Sequence, residues 1–264
     1  MKSGMSLLIN ETEKVKEQYG KADGLNTRIS IHEKYSTNKM GISNWNFTVY
    51  KIEKGMKVLE LGCGTGSMWI EHRDVIEKCS ELVLSDFSEG MLENTKNNLG
   101  AAPNITYKVI DIQDIPYEDN YFDVVIANYM LYHVPDINKA LSEVSRVLKK
   151  GGHFYAGTVG EKGIMETIGE WLGLGKIYVN TFSLDNGGEM LDKHFSEVKI
   201  ERYKDSLEVT NLDDLMDYIY SGITFKNSCT LSKEEVRRVL EEHVEGGILR
   251  LPKDPGMFIS VNPA

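Results

Sequence analysis

Several things are scarce in this chain of 264 residues, and each scarcity narrows what it can be. Three cysteines, widely spaced, provide neither a disulfide framework nor a metal-ligand cluster, which fits a reducing compartment and a protein without a metal. No apolar run is long enough for a membrane span. Near the start, only Leu7, Leu8 and Ile9 are consecutive apolar residues, too few for a secretory core. Basic residues are outnumbered, 30 against 40 acids, and the net charge of −10 disfavours a nucleic-acid partner. Internal repeats and low-complexity segments are absent. These features lead to the expectation of a cytoplasmic, globular protein, monomeric or homodimeric, with no membrane association.

What is present begins at Val58-Leu59-Glu60-Leu61-Gly62-Cys63-Gly64-Thr65-Gly66. A short apolar run with β-branched Val58 reads as a buried strand, and the alternating glycines read as a tight turn entering a helix near Ser67. Glycine has no Cβ, so this turn can take backbone angles closed to other residues and let a ligand approach the main chain. The dinucleotide fingerprint G-x-G-x-x-G would require glycine where Ser67 stands. Glu60 at the mouth of the turn would repel a pyrophosphate and would tolerate a cationic ligand. Cys63 lies inside the turn as a small residue with no histidine near it in sequence, so a nucleophilic role is rejected.

Further elements follow in order. Leu82 to Leu84 form a second strand ending at Asp86-Phe87, with Asp86 twenty residues beyond Gly66, where a carboxylate can accept from both hydroxyls of a ribose. Ser88 caps a helix bearing Met91, Leu92, Thr95 and Leu99 on one face. Ile105 to Ile110 is a third strand leading into Asp111-Ile112-Gln113-Asp114-Ile115-Pro116. Tyr121 to Asn128 is a fourth, followed by Tyr129-Met130-Leu131-Tyr132-His133. Residues 138–150 are expected to be helical with Gly151-Gly152 as the stop, and His153 to Thr158 to be the fifth strand. Strand and helix in alternation imply a parallel sheet with right-handed crossovers.

The E-x-G-x-G-x-G turn, the D-x-S-x-x-M-L stretch from Asp86 to Leu92, the D-x-x-x-I-P segment from Asp111 to Pro116 and the F-D-x-V strand at Phe122 to Val125 together resemble the class I S-adenosylmethionine (SAM) dependent methyltransferases. The similarity is widest to the ubiquinone/menaquinone methyltransferase-like group acting on small molecules. The N-P-P-[YF] signature of amino-group DNA methyltransferases is missing at Asn128. The resemblance implies a doubly wound, Rossmann-like α/β fold with a seven-stranded sheet of order 3-2-1-4-5-7-6. It implies SAM as cofactor and a small-molecule methyl acceptor, with S-adenosylhomocysteine as product. Glu60, Gly62, Cys63, Gly64, Gly66, Asp86, Phe87, Asp111, Ile112 and Asn128 are the cofactor-binding candidates. Asp111 would receive the adenine amino group and the Ile112 amide would face the ring, while Phe87 either covers the adenine or joins the core. A nicotinamide-dependent oxidoreductase and a SAM-binding module without activity are the alternatives.

Around that core, residues 1–54 are expected to form an N-terminal helical cap, 55–160 the cofactor-binding core, and 161–264 a substrate-side insertion with the closing strands, all within one domain. The cap contains a helical pattern around Glu11 to Tyr19 and another from Ile42 to Ile52. Ile164 to Leu174 is a plausible lid, residues 189–194 a short helix, Val198 to Val209 a charged edge strand, and Leu212 to Tyr220 and Ser232 to His243 helices, the last with a Ser232/Glu235 capping box. Met257 to Val261 is the final strand. If methyl transfer uses a general base, His133 in His133-Val134-Pro135-Asp136 is the catalytic candidate, although it can equally order the loop; His32 is a second candidate. Tyr19, Tyr35, Trp45, Tyr129, Tyr132 and Trp171 either line the acceptor pocket or pack in the core.

Overall fold

The computed structural model describes residues 23–175 and 181–264. Short runs rich in apolar residues become the largely buried strands β1 (Lys57–Leu61), β2 (Glu81–Asp86) and β4 (Phe122–Asn128), and the half-exposed edge strand β3 (Ile105–Val109). All four are parallel, with β1 between β2 and β4. Strand β5 (Leu148–Val159) extends the parallel set beside β4. The final strand, β10 (Pro255–Val261), runs antiparallel between β5 and β6 (Glu197–Arg202). The sheet order is therefore β3-β2-β1-β4-β5-β10-β6, the arrangement that the resemblance implied.

Because side chains alternate across a strand, this sheet has two apolar faces. Leu59, Leu61, Val83, Val125, Phe154 and Phe258 pack on one face with the helix α5 (Ile137–Val147), which is capped by Asp136 and buries Ala140, Leu141, Val144 and Val147 at helical spacing. On the other, Val58, Leu82, Leu84, Val124, Ile126 and Tyr155 pack with Trp69, Leu92 and Leu99. Leu92 and Leu99 come from α4 (Glu89–Leu99), capped by Ser88.

A third apolar cluster gathers around a second, smaller sheet. The chain leaves the main sheet at Arg202, enters β7 (Asp205–Val209), and returns from β9 (Ile248–Lys253) into β10. With the two-residue β8 (Val244–Glu245), these make a separate three-stranded sheet of order β7-β9-β8. Since β6 lies antiparallel to β10, and β10 to β5, the exit at Arg202 is on the carboxyl side of the parallel strands, where α/β sheets carry their ligands. The small sheet packs with α1 (Asp23–Tyr35), α6 (Ile164–Trp171), α8 (Leu212–Ser221) and α10 (Lys233–Glu242) around Ile31, Ile168, Leu207, Leu215, Ile219 and Leu240. Among the described residues no helix is long and apolar enough to cross a membrane.

Several boundaries differ from expectation. Val198 to Val209 is not one strand: it divides at Tyr203–Lys204 between two sheets, its first half forming the expected edge. Gly151-Gly152 does not stop a helix. The helix ends at Val147 and the glycines lie within β5, at the register break where Phe122 faces Leu148 but Val124 faces His153. A Cβ at Gly152 would meet the Lys149 and Asp123 carbonyls within 3 Å, which is why the bulge needs glycine there. Helix formation after the glycine turn is limited to a single 3-10 turn, Ser67–Trp69, with the α-helix α3 delayed to Arg73–Lys78. The short helix expected at 189–194 is Gly187–Leu191 (α7), the cap helix from Ile42 ends at Val49 (α2), and the last strand starts two residues earlier, at Pro255. The expected helix around Glu11 to Tyr19 lies outside the described residues.

Candidate functional site

The turn after β1 takes the strained form its glycines allow. Gly62, Gly64 and Gly66 have φ of 76°, 57° and 68°, the left-handed region that costs any other residue about 1–2 kcal/mol. The chain is held there from three sides. The Cys63 amide donates to the Ser85 carbonyl at 2.8 Å, continuing the ladder to β2. The Gly64 amide donates to Asp86 Oδ2 at 2.9 Å. From α4, Thr95 Oγ1 donates to the Gly64 carbonyl at 2.7 Å and Asn98 Nδ2 to the Thr65 carbonyl at 2.9 Å. Thr95 and Asn98 are supports that sequence reasoning missed; a polar Thr95 on the apolar face of that helix was the available signal.

Asp86 therefore stands at the carboxyl end of β2 directly beside the glycine turn. Its other oxygen accepts from the Ser88 amide at 2.9 Å. Burial raises its pKa, opposed by the amides of Ser88 and Gly64, so its ionised form is held by main-chain donors. Next to it, the Ile110 amide donates to the Asp86 carbonyl at 3.3 Å, bringing the Asp111-Ile112 corner alongside. Asp111 Oδ1 accepts from the Gln113 amide at 2.8 Å, and Gln113 Oε1 in turn accepts from the Asp136 amide, tying this loop to the one after β4. The Ile112 side chain is buried in the core. Phe87 is 37% exposed, so of the two roles open to it the core one is removed.

Glu60 is more deeply placed than its position at the mouth of the turn suggested. It is 1% exposed, and its Oε2 accepts from the Trp69 indole at 2.6 Å. Burial drives its pKa up to about 7 against the opposing Trp69 hydrogen bond, with Asp86 adding repulsion and Asn128 a smaller opposing contact. Asn128 ends β4 on the same face; its Nδ2 donates to Tyr50 Oη at 2.8 Å, and its Oδ1 is buried without a hydrogen-bond partner. That oxygen stands over Gly157 of β5, where a Cβ would lie 2.6 Å away. Cys63 is buried, its Sγ 3.6 Å from Thr95 Oγ1, and burial pushes its thiol well above the ordinary range; it is a packing residue of the turn and no nucleophile.

The segment after β4 closes over the turn. Tyr129 has a φ of 53°, with its amide donating to the Gly157 carbonyl at 2.7 Å. Met130 follows and packs so closely on Gly62 that a Cβ there would lie 2.9 Å from Met130 Cγ. His133 sits in the single 3-10 turn Leu131–His133, its ring edge-on to Tyr132 with centroids 4.6 Å apart. The other aromatic candidates separate. Tyr35 donates to Asp214 at 2.6 Å and Trp171 stacks on His243 at 3.9 Å, both within the outer cluster, whereas Trp45 packs on Tyr203 at 5.4 Å. Tyr19 lies outside the described residues.

The donor set suits a cationic amino-acid nucleoside: acidic Asp86 and Glu60, the unpartnered Asn128 oxygen, and a glycine turn that is partly exposed at Gly62 and Gly64. Residues 59–156 match a family model described as a methyltransferase domain. Over 132 residues the chain is 36% identical to the demethylmenaquinone methyltransferase of Staphylococcus aureus, covering 50% of this chain and 53% of that protein. The chain thus spans about half the length of the curated relatives it matches. Solved structures share the fold at low identity. They include the YcgJ protein of Bacillus subtilis (TM-score 0.60, 16% identity, 84% of this chain and 98% of that one) and the [4+2]-cyclase SpnF (0.60, 15%, 96% and 97%). A SAM-dependent methyltransferase of Thermotoga maritima is a third (0.56, 16%, 94% and 99%). The sheet order, the glycine turn on Asp86 and the family match agree, and over residues 59–156 the chain is similar to methyltransferase domains.

Proposed function

We propose that the protein transfers the methyl group of SAM to a small-molecule acceptor and releases S-adenosylhomocysteine. The observation that carries this reading is the Gly64 to Asp86 hydrogen bond inside a turn with three glycines at positive φ. It sets a ribose-competent carboxylate against a partly exposed glycine turn at the carboxyl edge of the sheet. Glu60 and the Asn128 oxygen would hold the ammonium of the amino-acid portion, Asp86 the ribose, and Asp111 with the Ile112 amide the adenine, with Phe87 over the ring. SAM supplies an activated methyl group; the protein's part is to align the acceptor and exclude water.

Acceptor choice would reside outside the matched residues 59–156, in the cap and in the excursion from Tyr203 to Asp254, because these stand over the carboxyl ends of the strands. The shared fold does not by itself dictate methyl transfer, as the [4+2]-cyclase illustrates. The deciding test is calorimetric titration with SAM, S-adenosylhomocysteine and NAD, followed by mass spectrometry of SAM incubated with pools of phenols, amines and quinols. Micromolar binding of SAM and its product, no NAD heat, and appearance of a product 14 mass units heavier are expected. NAD binding with no SAM heat would refute the reading.

A further inference from the structure

Five side chains form a closed ring that ties the cap helix α2 to two of the candidate cofactor residues. Trp69, fully buried in the 3-10 turn after the glycines, donates its indole N–H to Glu60 Oε2 at 2.6 Å. Glu60 pairs in register with Ile126, so Asn128, two residues on, projects from the same face of the sheet one step further along. Asn128 Nδ2 donates to Tyr50 Oη at 2.8 Å and approaches Met68 Sδ at 3.5 Å. A thioether can only accept, so the carboxamide nitrogen is fixed on the side of Tyr50 and Met68, and the oxygen lies over Gly157, where no Cβ displaces it. Phe47 closes the ring, 5.1 Å from Trp69 and 5.3 Å from Tyr50, its plane nearly perpendicular to both. Two further contacts fasten this helix in place. His72 stacks on Phe47 at 3.7 Å with its Nε2 2.9 Å from Asn44 Oδ1, and the Lys51 amide donates to Tyr155 Oη at 2.8 Å.

We propose that Tyr50 and Trp69 are positioning residues for the amino-acid end of the cofactor: from opposite ends of this ring they hold Asn128 and Glu60 in the orientation that receives its ammonium group. The proposal rests on the methyltransferase reading, and it gives the cap helix a part in cofactor binding. An ammonium has donors and no acceptor, so the groups that meet it must present oxygen. A carboxamide free to turn over would offer its NH2 group instead and lose the contact. The bond from Nδ2 to Tyr50 prevents that turn and leaves the unpartnered Oδ1 as the group available to a donor. The indole does the equivalent for Glu60. Burial disfavours the ionised form of this carboxyl and the Trp69 hydrogen bond favours it, so removing the indole N–H weakens the carboxylate as a partner for a cation. Because Phe47 touches both Trp69 and Tyr50, the two supports are seated by a single side chain of the cap.

Calorimetry on the full-length protein with two probes separates this role from a purely structural one. S-adenosylhomocysteine carries the amino-acid portion, whereas 5′-methylthioadenosine has the nucleoside without it. Tyr50→Phe keeps the ring contacts with Phe47 and Tyr155 and removes only the hydroxyl. It should weaken S-adenosylhomocysteine about fivefold and leave 5′-methylthioadenosine within about twofold of wild type. Trp69→Phe deletes a hydrogen bond to a charged group and should weaken S-adenosylhomocysteine about tenfold or more, with the same selectivity. Should Trp69→Phe fail to fold, the milder Tyr50→Phe decides alone. Equal weakening of both probes in Tyr50→Phe, or unchanged binding of both, would overturn the proposal and leave the methyltransferase reading standing. Failure of the wild-type protein to bind either probe would refute that reading and the proposal with it.

Discussion

The Gly64 amide donates to the Asp86 carboxylate at 2.9 Å, so the turn after the first strand is braced by the residue that ends the second. This link makes Asp86 both a support for the cradle and, on the proposed function, its ribose contact. Asp86→Ala should weaken S-adenosylhomocysteine by about 1.5–3 kcal/mol, the worth of charge-assisted hydrogen bonds, while the circular dichroism spectrum stays native. Calorimetry provides the measurement. Unchanged affinity in the folded variant would remove Asp86 from the site.

The turn also tests the packing beneath it. Gly66 has a φ of 68°, and a Cβ there would come 2.6 Å from Thr95 Cγ2. Gly66→Ala should therefore lower stability by about 1–3 kcal/mol, combining backbone strain with a forced shift of Thr95. Adding Thr95→Ser removes the methyl and keeps the hydroxyl that holds the Gly64 carbonyl, so the double variant should recover the steric part and retain the backbone part. Thermal denaturation of the four proteins measures this. A double variant no more stable than Gly66→Ala would show that backbone strain alone is responsible.

Much of this arrangement was legible in the sequence. The glycine turn, Asp86 and the first five strands each carry local signals: glycine spacing, short apolar runs and capping residues act over a few residues. The order of the sheet came with the family resemblance, and the structure reproduces it. What was not legible depends on pairing. Val198 to Val209 has uniform strand character, and only the partners on either side of Tyr203–Lys204 divide it, β10 for the first half and β9 for the second. The second sheet strand β9 was missed altogether, since Pro252 interrupts its pattern and Ile248 to Lys253 alternate with charges. Likewise, nothing local announces that Glu60 turns inward to Trp69 or that Asn98 reaches back to the Thr65 carbonyl.

The inward turn of Glu60 has a consequence in pH. Its pKa rises from 4.5 to about 7 on folding, through burial. A carboxyl group raised in this way binds more protons in the folded than in the unfolded state across that interval, so its contribution to stability is full below pH 4.5 and is lost as pH climbs through 7. The change amounts to at most about 3 kcal/mol. His32, lowered from 6.5 to about 4, acts in the opposite sense and gains stability as pH rises between those values, so the wild-type profile alone is ambiguous. Glu60→Gln isolates the first effect while keeping an acceptor for the Trp69 indole. Stability should differ between the two proteins in a pH-dependent way from pH 5 to 8, with the Gln variant favoured at the alkaline end. Parallel denaturation profiles would show that Glu60 does not titrate there.

The last prediction concerns His133. The residue lies at the carboxyl end of β4, in a single turn closed by its own amide on the Met130 carbonyl at 2.9 Å, with Asp136 three residues on capping α5. This position orders the loop that carries Met130 onto Gly62. Methyl transfer from a sulfonium needs little proton management once a nucleophile is aligned, so loop order is the larger contribution expected of His133. With an acceptor identified by the mass-spectrometric screen, His133→Ala should bind S-adenosylhomocysteine as wild type does and lose less than about tenfold in kcat, with the pH profile unchanged in shape. A general base at this position would instead cost about a hundredfold or more and remove the acidic limb of the profile. That second outcome, with product binding intact, would assign the proton to His133.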